Sequence, residues 1–357
     1  MTPEGRRLSL CLISTTNPMG SNPNVAFGRA LLDAVASQVP NFGRLLIVAN
    51  SSDSADLNYQ YLSEVFPDGQ YGRIMFFTDL ATAYAEAQTN NNDVICLTAH
   101  TSHKVTSMLT VAKNRVHFFG FDTGGRWSNQ RVLVSNTGAG ASADVSMIKV
   151  TGTGCSFRNI AFKNNWTVAQ NLSAMLEYGN NSLYINCSFQ NLGSAHLTNA
   201  NAAALILAAG DAEFHACNIG ADTLQSTVAS GQTMLIKKGT SDQAATRCLF
   251  EKCIFRGYTS QTTYAFVRIA ADGDIDREVF FKDCDLINFK TSSNGATLAV
   301  AVASASGLAS GGMFFSGCRA FNVTDFATAA VGNTGLLVCG GTTPTAGSDG
   351  VAVTPTA

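Results

Sequence analysis

A short pattern centred on cysteine returns five times in the second half of the chain. The copies are Leu183-Tyr-Ile-Asn-Cys187-Ser-Phe189, Glu213-Phe-His-Ala-Cys217-Asn-Ile219, Leu249-Phe-Glu-Lys-Cys253-Ile-Phe255, Phe280-Phe-Lys-Asp-Cys284-Asp-Leu286 and Phe314-Phe-Ser-Gly-Cys318-Arg-Ala320. Each reads aromatic, two residues, cysteine, one residue, apolar. The paired ladder residues are thus Tyr184 and Cys187, Phe214 and Cys217, Phe250 and Cys253, Phe281 and Cys284, Phe315 and Cys318. Upstream the frame continues through Phe157, Ile160 and Phe162, with Ile160 in the cysteine slot, and then through Val116, Phe119 and Phe121, with Phe119 in it. The cysteines are 30, 36, 31 and 34 residues apart, so length varies only between motifs, as a solenoid permits.

A second apolar segment accompanies the first: Met147–Val150, Met175–Tyr178, Leu205–Ala208, Met234–Lys237, Phe266–Ile269, Leu298–Val302 and Leu336–Cys339. Each unit therefore supplies at least two strands. Helical repeats of similar length need apolar residues at i, i+3, i+4 and i+7. Here, runs of four to six β-forming residues alternate with Ser/Thr/Asn/Gly loops. A parallel β-helix satisfies the pattern because equivalent positions of successive coils stack about 4.8 Å apart and no coil can bury its apolar face alone. The residue before the cysteine slot is Asn159, Asn186, Ala216, Lys252, Asp283 or Gly317. Four of these six accept a left-handed backbone, which a sharp corner between strands demands.

An open solenoid end needs a cover. Residues 78–89 predict a capping helix, with Thr78 or Asp79 as its N-cap, leading into the strand Asp93-Val-Ile-Cys-Leu97. With the following strand Arg115-Val-His-Phe-Phe-Gly-Phe121, this opening resembles the pectate-lyase-like right-handed β-helix superfamily over roughly residues 75–340. The resemblance implies an all-β, right-handed parallel β-helix with an N-terminal capping helix and a small α/β N-terminal region. It speaks for fold far more than for function. The expected organisation is an α/β region over 1–73, with a helix at Asn24–Gln38 and a strand at Leu45–Val48, the β-helix over 74–340, and an extended tail over 341–357.

The chemistry reads as sparse. Only 13% of the residues are charged and the net charge is −2, so no broad attraction to nucleic acid or an anionic membrane is expected. The N-terminal apolar run, Leu8 to Ile13, is too short for a signal-peptide core, which suggests synthesis in a reducing cytoplasm with the cysteines acting as small hydrophobes. On the outward positions, Glu251 stacks on Lys282, Lys252 on Asp283 and Asp285 on Arg319, an arrangement of stabilising pairs rather than of catalytic carboxylates. The loop from Asp272 to Glu278 matches no complete calcium-binding spacing and reads as a solvated turn, and His196 and His215 read as exposed. No catalytic residue, metal or cofactor is assigned. Long loops at 164–172, 191–201, 220–232, 256–263 and 290–296 should emerge on one side as a weakly polar contact face.

Low charge, Ala/Thr/Ser/Gly-rich loops and an extended tail also resemble non-enzymatic virion proteins of tailed phages. That resemblance implies a capsid decoration protein, not an enzyme, that binds the major capsid protein at the capsid surface and self-associates as a homotrimer. The alternative is a tailspike or tail-fibre protein that binds or depolymerises host surface polysaccharide.

Overall fold

The computed structural model describes residues 42–49, 70–71, 73–99, 102–121, 131–136, 138–239, 243–290, 294–304, 311–327 and 336–339. The chain divides into a unit of residues 1–40, which lies outside the described residues together with the expected helix Asn24–Gln38, and a unit of residues 41–357. The expected tail over 341–357 also lies outside them.

The described strands build a parallel β-helix from three sheets, A of twelve strands and B and C of eight each. One coil runs Ser156–Arg158 in sheet A, Ile160–Asn164 in B and Ser173–Glu177 in C, and returns to A as Leu183–Ile185. The unit thus holds three strands. The third follows the cysteine corner after a single residue, so in the sequence it merges with the sheet A strand into one motif. Registers connect each strand to its equivalent one coil away, as in Phe157 beside Tyr184 and Phe162 beside Phe189.

All six residues before the cysteine slot have positive φ, from +52° at Asn186, Ala216 and Asp283 to +63° at Gly317. One left-handed residue turns the chain between sheets A and B, and Ala216 and Lys252 adopt it despite their Cβ atoms. A second left-handed column, Arg115, Gly154, Asn181, Asp211 and Arg247, marks the corner from C back to A.

Inside, sheet A carries a continuous aromatic stack. Phe118, Phe157, Tyr184, Phe214, Phe250, Phe281 and Phe315 follow one another with centroids 4.3–5.0 Å apart and ring planes within 9°. Beside it runs the column Ile160, Cys187, Cys217, Cys253, Cys284 and Cys318. Each cysteine Sγ donates to the carbonyl of the aromatic one coil earlier, Cys187 to Phe157, Cys217 to Tyr184, Cys253 to Phe214, Cys284 to Phe250 and Cys318 to Phe281. A thiol here fills the volume of a small hydrophobe and also satisfies a corner carbonyl, which explains the recurrence of cysteine over alanine. Where sheet B ends, Asn136, Asn164 and Asn191 form a buried amide column, Asn164 donating to Asn191 at 3.2 Å.

One carboxyl lies in the core. Glu177 is fully buried and accepts from the amide of Gly179, the hydroxyl of Ser182 and the phenol of Tyr184, the ladder member that carries a hydroxyl. Burial pushes its carboxyl up to about 7.

Helix α1, Leu80–Glu86, covers the first coil. Asp79 caps it by accepting from the Thr82 amide at 2.8 Å, and Leu80, Ala83 and Tyr84 are buried. Tyr84 begins the aromatic stack, 6.2 Å from Phe118, and its hydroxyl accepts from the amides of Ala112 and Lys113. The Lys113 ammonium donates to the carbonyls of Tyr84, Ala85 and Ala87, neutralising the helix C-terminus. Buried Asp93 receives bonds from the backbone and guanidinium of Arg44 and from the Gln88 amide, so Arg44 holds its carboxyl below the usual range.

Three sequence readings change. In the coil before Phe157, the aromatic slot belongs to Phe118, and the residue level with Ile160 is Val132, not Phe119. Thirteen or so residues separate those two positions, so the tight corner assumed for Val116–Phe121 does not apply to that coil. Leu336–Cys339 pairs with Met313–Ser316 in sheet A, whereas the last sheet C strand is Val323–Ala327. Leu45–Val48 lies within sheet A, parallel to both Ile74–Phe77 and Val94–Thr98.

Candidate functional site

Because side chains alternate across a strand, each inward aromatic of sheet A has outward neighbours on both sides. The registers place these in two columns. One reads Ser156, Leu183, Glu213, Leu249, Phe280 and Phe314, and the other Arg158, Ile185, His215, Glu251, Lys282 and Ser316. Phe280 is 39% exposed, the most of any large apolar side chain among the described residues, and it stacks on Phe314 at 5.0 Å. No core requirement puts an aromatic there, since Phe281 and Phe315 already fill the interior at that height.

Polar groups occupy the coils before this pair and the second outward column. His215 is held between two carboxylates, Nδ1 at 3.1 Å from Glu251 and Nε2 at 2.9 Å from Glu213. The Lys282 ammonium donates to the other Glu251 oxygen at 2.8 Å, and together with His215 it keeps the Glu251 carboxyl below the usual range. The imidazole fills the space between Glu213 and Glu251, so no glycosidic bond can sit between them as acid/base catalysis requires. The trio displays hydrogen-bonding groups instead.

Two residues before these strands, the corner from sheet C to sheet A opens into a groove of about 710 Å³ lined by Asn180, Asp211, Lys238, Gln243, Arg247 and Asp276. Arg247 grips Asp211 through two 2.6 Å bonds, which lowers the Asp211 carboxyl and raises the Arg247 guanidinium. Gln243 donates to Asn180 at 3.0 Å. The groove and the outer face of sheet A together form an open surface, polar along one edge and aromatic toward the last coils.

Among the stacked charges read from the sequence, Glu251–Lys282 and Asp285–Arg319 are ion pairs at 2.8 and 2.7 Å, and Lys252 and Asp283 occupy successive left-handed corners. His215 points outward, but His196 does not match its expected exposure. Residues 194–198 wind into the short helix α2, Ser194–Thr198, which turns His196 inward to 9% exposure with Nε2 at 3.3 Å from the Leu224 carbonyl. Within the loop from Asp272 to Glu278, Asp272 and Asp276 are exposed, whereas Asp274 is buried and accepts from the amides of Lys238 and Ala271, a turn-forming role. Among the described residues no group of three His, Cys, Asp or Glu is placed to hold a metal. Sequence reading passed over the Phe280–Phe314 pair, although the doublets Phe280-Phe281 and Phe314-Phe315 held the signal: consecutive strand residues face opposite sides, so one of each pair must point outward.

No protein-family model and no curated protein matches the chain. Solved structures of similar fold include a pectin methylesterase mutant in complex with a hexasaccharide, 14% identical over 80% of this chain and 81% of that one with a TM-score of 0.49. A pectate lyase is 11% identical over 79% and 64% with a TM-score of 0.47. The pectin methylesterase from Aspergillus niger is 12% identical over 84% and 86% with a TM-score of 0.44. At such identities the likeness is one of fold, and no residue role passes across it. It does correct one expectation: these neighbours are enzymes, so the assignment of the chain as a non-enzyme does not stand. What the chain shares with them is an all-β parallel β-helix.

Proposed function

We propose that this β-helix binds an extended polysaccharide of a bacterial surface along the outer face of sheet A, as a tail-fibre or tailspike component of a tailed phage. The exposed Phe280–Phe314 stack carries the reading. Sugar rings present flat C–H faces that pack on aromatic rings, while their hydroxyls need donors and acceptors alongside, here Glu213, His215, Glu251 and Lys282. Inter-strand steps of about 4.8 Å are close to the length of one sugar unit, so a chain laid along the coil axis meets an equivalent position at each residue. The phage context rests on the compositional resemblance described above. The test is retention of the protein on arrayed capsular and lipopolysaccharide glycans. Wild type should bind at least one, and Phe280→Ala should lose that binding while remaining folded, with stability lowered by about 1 kcal/mol or less. Failure of every glycan, or binding indifferent to Phe280→Ala, overturns the reading.

A capsid-decorating role is the second reading. It is favoured by the other two exposed large apolar residues among those described, Val145 at 38% and Leu197 at 37%, which both lie in the loops between sheets B and C. Saturable co-sedimentation with undecorated phage heads, lost in a Leu197→Ser variant, would support that role and its major capsid protein partner. The mass of the free protein in solution tests the homotrimer.

A further inference from the structure

At the other end of the same outward column, Ser156, only 6% exposed, faces half-buried His117 across adjacent strands of sheet A. The Ser156 hydroxyl lies 2.8 Å from His117 Nδ1, and His117 Nε2 lies 3.5 Å from Asn92 Oδ1. In the tautomer that donates from Nε2 to the Asn92 oxygen, the Nδ1 lone pair faces the hydroxyl. Nucleophile, base and orienting group are therefore in line, in the relation that activates a serine for acyl transfer. The Asn92 contact is long, as such contacts often are before a substrate seats. Burial, with help from Arg158, pushes His117 down to about 4, so the imidazole is in its basic form at neutral pH. Arg158 lies two residues along the strand from Ser156 on the same face, and its charge acts on His117; it is the cation that would serve a developing oxyanion.

We propose that Ser156, His117 and Asn92 form a serine esterase centre that removes O-acyl groups. The Ser156 oxygen attacks the ester carbonyl while His117 Nδ1 takes its proton. The tetrahedral intermediate collapses, the alkoxide leaves with that proton as a free hydroxyl, and an acyl-serine remains. Water then attacks the acyl-serine with His117 again as base, releasing the carboxylic acid and restoring the serine. The column joining Ser156 to Phe280 runs through Leu183, Glu213 and Leu249, four steps or about 19 Å. A glycan stacked on Phe280 would reach Ser156 with a residue about four sugars away. The substrate class, O-acylated polysaccharide, rests on the binding reading above; the esterase chemistry does not.

The experiment treats the full-length protein with a fluorophosphonate and maps the adduct by mass spectrometry, with hydrolysis of p-nitrophenyl acetate followed in parallel. Labelling of Ser156 is expected, with hydrolysis lowered about 100-fold or more in Ser156→Ala and in His117→Gln. Mapping on the wild-type protein needs no variant to fold. An unlabelled Ser156, or hydrolysis that survives Ser156→Ala, overturns the proposal. Acetate release from an O-acetylated glycan tests the substrate class. If Ser156 labels and Phe280→Ala leaves glycan binding intact, the esterase stands and the binding reading falls. If glycan binding depends on Phe280 but Ser156 does not react, the reverse holds.

Discussion

At equivalent heights, the inner face of sheet A reads Phe157, Tyr184, Phe214, Phe250, Phe281 and Phe315, and the outer column beside it reads Ser156, Leu183, Glu213, Leu249, Phe280 and Phe314. The strands and registers are the same. Inside, each ring must fill the same cross-section and contact the rings above and below, so the alphabet narrows to Phe and Tyr. Outside, no neighbouring coil dictates volume, and the column passes through alcohol, aliphatic, acid and aromatic. Repetition thus reports packing, and departure from repetition marks the surface where chemistry can be placed.

The sharpest way to break this comparison is to truncate an aromatic on each face. Phe250→Ala should cost about 3–5 kcal/mol, because a cavity opens between Phe214 and Phe281 that the coils cannot collapse to fill. Phe280→Ala, one position from the inward Phe281, should cost about 1 kcal/mol or less. Urea denaturation of both variants measures the contrast, and equal losses would dissolve the distinction between the faces.

A smaller effect concerns the carboxyl that packs against the aromatic ladder. Burial holds Glu177 up to about 7 against an ordinary value of 4.5, so the folded state binds an extra proton between those values. Its stabilising contribution is full below about 4.5 and is lost as pH rises through about 7, a change on the order of 3 kcal/mol. Glu177→Gln should flatten stability against pH across that window while leaving the outer-face groups untouched; an unchanged slope would place the titration elsewhere.

The smallest expected effect lies at the corners that separate the two faces. Ala216 holds a φ of +52°, so Ala216→Gly should raise stability by roughly 0.5–1 kcal/mol, the left-handed penalty exceeding the entropy that glycine adds to the unfolded chain. A shift in midpoint denaturant concentration at constant slope is the readout.

The same contrast explains what was legible in the sequence. The Tyr184–Cys187 and Phe250–Cys253 frames and the left-handed corners were visible because packing repeats them. The sheet C strands showed as apolar runs for the same reason. The coil before Phe157 was misaligned because its two ladder positions, Phe118 and Val132, are fourteen residues apart in sequence where later coils have three, so Val116 was read for Phe118 and Phe119 for Val132. His196 was misjudged because its five-residue helix has no amphipathic period to detect. The face of sheet A was harder still. His117 and Ser156 are 39 residues apart and meet only through register, and Glu213, His215 and Glu251 looked like scattered surface charges until the coil spacing brought them together.

The cysteine-to-carbonyl bonds span 30 to 39 residues, and the strand pairs of sheet A join only adjacent coils. From α1 onward, strand pairing among the described coils therefore advances along the chain in a single direction, and α1 is translated before the coils it covers. Once Tyr84 has met Phe118, every later coil finds its template already exposed on a nascent chain still attached to the ribosome, and assembly can keep pace with synthesis instead of waiting for the C-terminus.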